Sequence, residues 1–386
     1  MILRLVLLFC FLAALPAMAD TPPAPKVNAG AWLLADHYTG MRLADYRSDK
    51  TFPTGHLNKL MVAYSSFKAI GSGEAQLTNP VDISTRARQM PGPRMFAPVE
   101  SALTVADVLQ AIVVGRANDA ALALAEHIAS DEQAFVSRMN NDAQILGMTQ
   151  TYYRNVSGRA KARQFTTAND TLTLVRAMIA EFPQHYAWFA KREIELDGIK
   201  LYNRNALLWR DETVDGVIAF GSSRGRFNLV VSARRNNMRL TAIVLDSPNE
   251  RAAISAARQL IKFGFDRYET RRLYAREAAA VNLRAWLGDR ETLPVGIQQD
   301  LYLTLPRGEF EQLQAKLQIT GSLFAPIPAG QVMGKLSIYN GGNKIEEHPL
   351  VALETVSEGG FIRRAFDHIE MWLRDIPDQQ TEYVTQ

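Results

Sequence analysis

Cysteine is all but missing from this chain: Cys10 is the only one in 386 residues. It falls in an N-terminal segment that reads as a removable leader, so the mature chain uses neither disulfides nor thiol chemistry. That suits an oxidising periplasm, where a stray thiol is a liability. Histidine is also sparse. The six, His37, His56, His127, His185, His348 and His368, stand apart from one another, without the spacing of a metal site, and no metal or other cofactor is expected. Neither charge dominates: 43 Lys and Arg face 40 Asp and Glu, a net charge of +3. The basic residues are scattered rather than striped, which removes nucleic acid from the expected partners. Beyond the leader, no run is long and apolar enough to span a bilayer. No internal repeat or low-complexity segment stands out.

What is present begins with an address. Arg4 supplies the positive charge, Leu5 to Leu15 form an uncharged apolar run, and Ala17-Met18-Ala19 is a small-x-small site. This pattern is a secretory signal peptide, with cleavage expected after Ala19. A Pro-rich linker follows over 20–29. The stretches starting at Ala31 and Met41 read as a strand pair turning at His37–Gly40. Leu57, Leu60, Met61, Tyr64 and Phe67 carry a helical period over 56–70, closed by Gly71. Further helices are expected at 104–115, 117–129, 131–146 (with Asp131 as N-cap), 167–181 and 250–264, the last ended by Gly264. Strands are expected within 214–245. After about residue 272, runs such as Leu301-Tyr-Leu-Thr-Leu alternate apolar and polar residues between Gly, Pro and Asn turns, as in a small all-β domain. Near the C-terminus Phe361, Ile362, Phe366, Ile369, Trp372 and Leu373 share one face of a helix, and Arg363, Arg364, Asp367, Glu370 and Arg374 occupy the other. Such a helix can lie in a membrane interface or dock on protein. With its charges nearly balanced, its attraction to lipid would be mainly apolar.

Several stretches carry a family signature: Asn118-Asp119-Ala120, Asn203-Arg204-Asn205-Ala206-Leu207-Leu208-Trp209, Val214-Asp215-Gly216 and Leu303-Thr304-Leu305-Pro306-Arg307-Gly308. On these residues the chain, from about residue 30 to 375, resembles the low-molecular-weight penicillin-binding proteins, the D-alanyl-D-alanine carboxypeptidases. The resemblance implies an α+β fold: a penicillin-binding (β-lactamase-like) transpeptidase domain over 30–272, an all-β domain over 273–357, an amphipathic membrane-associating helix over 358–376 and a tail over 377–386. It also implies three catalytic motifs: Ser-x-x-Lys for the nucleophile and its base, Ser-x-Asn for proton shuttling, and a Lys-Thr-Gly strand that holds the substrate carboxylate.

All three motifs are altered. His56 stands at the nucleophile position, with Lys59 kept. Arg116 stands at the shuttle Ser, with Asn118 kept. Ile218-Ala219-Phe220 stand where Lys-Thr-Gly belongs. Loss of a Ser nucleophile alone costs on the order of 10⁶ in turnover. Two literal matches are decoys: Ser65-Ser66-Phe67-Lys68 lies about 13 Å further along the first helix on roughly its opposite face, and Ser247-Pro248-Asn249 reads as a turn. If the family fold holds, His56, Lys59, Arg116 and Asn118 converge on one cationic cleft, and Arg239 matches a family position near the substrate carboxylate. The cleft would bind a carboxylate without cleaving it, or Arg116 would pair with a nearby acid and plug it. The second is the favoured expectation. The resulting reading is a catalytically inactive relative, held by its last helix on the periplasmic face of the cytoplasmic membrane, that binds a peptidoglycan stem peptide or a cell-wall protein. The alternatives are an active carboxypeptidase with an unusual nucleophile and a scaffold of cell-wall assembly.

Overall fold

The computed structural model describes residues 22–98, 102–222, 225–374 and 381–385. The leader lies outside the described residues. A five-stranded antiparallel sheet carries the first half of the molecule, in the spatial order Arg42–Tyr46, Ala31–Asp36, Met238–Ser247, Phe227–Arg235, Val214–Gly221. Its central strands are covered on both faces, which is why they read as nearly continuous apolar runs. In Ala31–Asp36, Leu33 and Ala35 enter one core while Trp32 and Leu34 enter the other.

The first face carries helices Asn58–Gly71, Val105–Val113, Asn118–Ala129, Glu132–Ile145 and Ala168–Glu181, and the second carries Glu250–Arg267. Their starts are set by side chains that accept otherwise orphaned backbone N–H groups. Thr104 and Asp107 form a capping box, Asp131 accepts from the Ala134 amide as its position suggests, and Thr167 accepts from the Asp170 amide.

Both literal motif matches are structural. The Ser65 hydroxyl and the Lys68 ammonium each donate at 2.6 Å to the buried carboxylate of Asp142, which joins helix Asn58–Gly71 to helix Glu132–Ile145. Asp142→Ala leaves Ser65 buried without an acceptor and Lys68 without its counter-charge. It is expected to lower stability by about 2–3 kcal/mol, read as a fall in the urea midpoint; an unchanged midpoint would show that this tie is idle. Ser247 donates to the Asn28 carbonyl, and Asn249 is the N-cap of helix Glu250–Arg267.

Four features depart from the sequence reading. Helix Glu250–Arg267 runs past Gly264. That glycine is there for packing, because a Cβ would come within 2.6 Å of the Leu240 side chain. A hairpin, Glu193–Leu196 with Ile199–Tyr202, was not expected. Strand Tyr268–Tyr274 follows the last helix of the first half directly and pairs with Leu301–Pro306. The tail supplies a strand, Thr381–Thr385, antiparallel to Leu313–Ile319.

The remaining strands form a six-stranded sheet in the order Thr381–Thr385, Leu313–Ile319, Val332–Asn340, Asn343–Ala352, Thr292–Gly296, Ala279–Arg284. Leu293, Val295, Leu317, Leu336 and Leu350 fill its core. The two halves meet at a buried polar clasp. Asp36 accepts from the Thr39 amide and from the hydroxyls of Thr39 and Thr270, and Thr304 completes the set at 2.9 and 3.0 Å from the other two hydroxyls. Burial pushes the Asp36 carboxyl above its ordinary range despite these bonds.

The C-terminal helix, Phe361–Arg374, docks with its charged side inward. Arg284, stacked over Trp286 at 4.2 Å, meets Asp367 at 3.2 Å and Glu370 at 2.6 Å, and Asp367 also accepts from the Leu287 amide. The apolar side faces outward, with Phe361 and Trp372 both more than 80% exposed (81% and 83%) and Ile362, Phe366 and Ile369 exposed beside them. The Leu373 side chain lies outside the described residues. Among the described residues no helix is long and apolar enough to cross a membrane.

Candidate active-site cleft

The site opens at the start of helix Asn58–Gly71. Thr54 is fully buried, Gly55–Leu57 make a single 3₁₀ turn, and His56 projects from that turn. Gly55 has φ +50, and a side chain there would meet the Phe220 ring at 2.5 Å. Gly55 and Phe220 therefore fit together: the bulk that replaces glycine in the third motif occupies space that glycine leaves free beside the first. The same turn is pressed from the other side by Gly158 (φ +77), where a Cβ would fall 1.9 Å from the Gly55 carbonyl oxygen.

His56 is half-buried with its ring edge-on to Phe220, 5.5 Å between centroids. Its Nδ1 is buried without a hydrogen-bond partner. Burial, with the Lys59 and Arg116 cations beside it, pushes the imidazole down to about 3, so it is neutral at physiological pH. One turn on, Lys59 is fully buried. Its ammonium donates to Asn118 Oδ1 at 2.8 Å and to the carbonyls of Val156 (3.2 Å) and Ser157 (2.7 Å). These acceptors favour the charged form, but burial outweighs them and, with Arg116 adding repulsion, brings Lys59 down to about 7. Asn118 is pinned in turn by the loop before it, donating through Nδ2 to the Pro91 carbonyl at 2.7 Å.

Arg116 follows helix Val105–Val113 in the left-handed backbone region, φ +57, which costs a non-glycine residue some strain. Its Nε is buried without a partner. Burial and the nearby Arg204 push its guanidinium down to about 10. The expectation that Arg116 pairs with an acid is not met: among the described residues no carboxylate lies within ion-pair distance of it, because those near the cleft are already engaged. Asp119, for one, is turned away to accept from the amides of Met95, Phe96 and Ala120.

On strand Val214–Gly221, Ile218 and Phe220 face the helical layer and Ala219 faces the opposite core. Apolar side chains thus fill the side from which a substrate-holding cation would reach the cleft.

The structure therefore gathers His56, Lys59, Arg116, Asn118 and Phe220, with Ile218 and Ala219 on the adjoining strand. It does not bring Arg239 to them. Arg239 pairs with Asp215 at 2.6 Å and donates to Ser232. Asp215 lies five residues before Phe220, about 16 Å along an extended strand. Two participants went unread in the sequence. In the sequence Arg204 stands out only as part of a family stretch, and Phe220 only as the residue in place of the motif glycine, although the Gly55–Phe220 pair is written in the chain. Among the described residues no group of three or more His, Cys, Asp or Glu side chains could hold a metal.

Comparison with known proteins supplies the context for this geometry. Residues 18–249 match the family model described as D-alanyl-D-alanine carboxypeptidase, and residues 268–358 match the C-terminal domain of penicillin-binding protein 5. The chain is 33% identical over 372 residues to D-alanyl-D-alanine carboxypeptidase DacC of Escherichia coli strain K12, covering 94% of this chain and 93% of that protein. It is 32% identical over 357 residues to DacD of the same strain, covering 90% and 92%. Among solved structures it is similar to penicillin-binding protein 5 of Haemophilus influenzae, with TM-score 0.79, 28% identity and coverage of 87% of this chain and 100% of that one. Penicillin-binding protein 6B of E. coli gives TM-score 0.73 at 27% identity, covering 87% and 98%. The mixed helix-and-sheet body with its all-β C-terminal domain is the penicillin-binding fold, and the chain belongs to the D-alanyl-D-alanine carboxypeptidase family.

Proposed function

We propose that this family member binds the carboxylate end of a peptidoglycan stem peptide, or of a cell-wall protein, without hydrolysing it. The observation that carries the reading is the composition of the cleft. A neutral imidazole stands at the nucleophile position, and Arg116 and Arg204, joined by the protonated fraction of Lys59, supply positive charge, with the Arg116 Nε–H buried and unpartnered. An orphaned buried donor on a cation is costly unless an anion meets it, and a guanidinium is well shaped to clasp a carboxylate. Titration calorimetry with a pentapeptide ending in D-Ala-D-Ala should give binding heat and no released D-Ala, and Arg116→Ala should weaken binding at least tenfold. Released D-Ala, or no heat at all, would overturn this reading.

One observation favours the alternative of an active peptidase. A lysine brought to about 7 is partly deprotonated near neutrality, as a catalytic base needs to be. That alternative predicts D-Ala release that disappears in Lys59→Ala.

We infer that the C-terminal helix holds the protein at the outer face of the cytoplasmic membrane, a reading supported by its outward apolar side. Its charged side is already spent on the β domain, so the exposed Phe361, Ile362, Phe366, Ile369 and Trp372 are what it offers to lipid. Uncharged phosphatidylcholine vesicles should float with the protein even at high salt, and Phe366→Asp with Trp372→Asp should abolish flotation. Binding that salt removes would contradict an apolar anchor.

A further inference from the structure

On the other side of the sheet from His56, a cleft of about 510 Å³ lies between helix Glu250–Arg267 and the turn that follows Ala206–Trp209. Nothing in the carboxypeptidase chemistry uses it. Its floor is apolar, formed by Leu207, Val214, Ile254 and Ile261. Its walls carry five cations, Arg210, Arg235, Arg251, Arg258 and Lys262, against two carboxylates. Both carboxylates are already engaged, Asp211 with Arg235 at 3.6 Å and Asp266 with Lys262 at 2.5 Å. Arg210, Arg251 and Arg258 are exposed, and among the described residues none of them has a carboxylate within ion-pair distance. The cleft thus presents, around an apolar floor, three guanidinium groups that lack an ion-pair partner among the described residues, with Arg258 feeling the Asp211 carboxylate from beyond ion-pair distance.

The helix sets their geometry. Arg251, Ile254, Arg258 and Ile261 follow one another at intervals of three, four and three, so they share one face. This stripe is about 15 Å long at 1.5 Å per residue, the span of some five residues of extended chain. Trp209, 44% exposed, precedes the cleft residue Arg210 in the chain. An amphipathic aromatic and arginines around a desolvated centre are the usual anchors of protein–protein contacts.

We propose that this cleft is a docking site for an acidic segment of a partner protein, one that alternates carboxylates with aliphatic or aromatic side chains. The carboxylates meet Arg210, Arg251 and Arg258, and an apolar side chain sits on Ile254 and Val214. A phosphate polymer would satisfy the arginines but leave the apolar floor uncovered, and charge complementarity together with that floor selects the peptide.

The test uses the full chain and a fluorescent hexapeptide, acetyl-Asp-Glu-Leu-Glu-Asp-Phe-amide, read by anisotropy. Three comparisons accompany it: the same peptide with Asn and Gln for its acids, the same peptide with Gly for Leu and Phe, and inorganic tripolyphosphate as competitor. The acidic apolar peptide should bind at least tenfold tighter than either altered peptide, and tripolyphosphate should compete weakly. The combined variant Arg210→Gln, Arg251→Gln, Arg258→Gln should lose at least tenfold in affinity with an unchanged urea midpoint, and Ile254→Ser should weaken the acidic apolar peptide selectively. A D-Ala-D-Ala pentapeptide should not displace the probe, which separates this site from the His56 cleft. No binding, equal binding of the glycine-substituted peptide, tight competition by tripolyphosphate, or undiminished binding to the arginine variant would each overturn the proposal.

Discussion

A fluorescent penicillin is expected to leave the native chain unlabelled, and His56→Ser alone is expected to leave it at background. Labelling should appear only when all three motifs are rebuilt, by His56→Ser, Arg116→Ser, Ile218→Lys, Ala219→Thr and Phe220→Gly together. The reason is spatial as much as chemical. Part of the serine machinery is standing: Lys59 is already held by Asn118 and two carbonyls and brought to about 7, where it can take a proton from a neighbouring hydroxyl. A serine at 56 would meet that lysine, but it would also meet the Phe220 ring, and nothing on strand Val214–Gly221 would hold the carboxylate of the β-lactam. Removing the ring reopens the strand edge, Lys at 218 restores a cation on the side of the strand that faces the helical layer, and Thr at 219 completes the motif. Since loss of a serine nucleophile costs on the order of 10⁶, even a partial restoration should raise the acylation rate by on the order of 10³ over the native chain. Labelling of the native chain would sink the non-hydrolytic reading. An unlabelled but well-folded rebuilt chain would show that the cleft has departed from the family geometry beyond these five positions.

Acid should weaken this protein well before the ordinary carboxylate range is reached. His37 and His56 are both held near 3 in the folded state, His37 by burial and the Arg239 and Arg176 cations, His56 by burial and the Lys59 and Arg116 cations. In the unfolded chain each titrates near 6.5. Between those values the unfolded state binds protons that the folded state refuses, so stability rises with pH and is lost as pH falls from 6.5 toward 3. At pH 5 the loss is roughly 2 kcal/mol for each histidine and about 4 kcal/mol for the pair. That is a large share of the 5–15 kcal/mol or so that holds a typical domain together. Asp36 and Asp119, whose carboxyls burial pushes upward, act with the opposite sign and offset part of the loss as pH falls through their raised values, above the ordinary carboxylate range. Lys59 acts in the same sense as the histidines at the other end of the scale, with stability rising between about 7 and 10.5. Urea midpoints at pH 7.5 and pH 5 should differ accordingly, and His37→Gln with His56→Gln should flatten the difference. Equal midpoints in the native chain, or an unchanged slope in the double variant, would show that the imidazoles take up protons without unfolding.

The period of Leu57, Leu60, Met61, Tyr64 and Phe67 announced the first helix because that helix packs on one side and follows its own register. The cap at Asp131 was legible for the same local reason. Arg239 was misplaced because a match of sequence position does not say where a long side chain turns, and Asp215 captures it. The pairing expected for Arg116 failed because counting charges along the chain does not reveal that the neighbouring acids are already committed elsewhere. Gly264 was read as a stop, since only the sheet beneath the helix shows that Leu240 needs the space. The tail strand was missed because a five-residue edge strand takes its stability from a partner some 65 positions earlier. In each case the information lay in a long-range contact.

The C-terminal helix has one more consequence. With its charges turned inward, the molecule carries its greasy side where water is, and away from lipid it behaves as a surfactant with a folded head. Two copies can shed that exposed surface by laying one stripe on the other about a two-fold axis, so in detergent-free solution the oligomeric state should track concentration, and the Phe366→Asp, Trp372→Asp variant, which keeps the tail strand on Leu313–Ile319, should stay monomeric at every concentration.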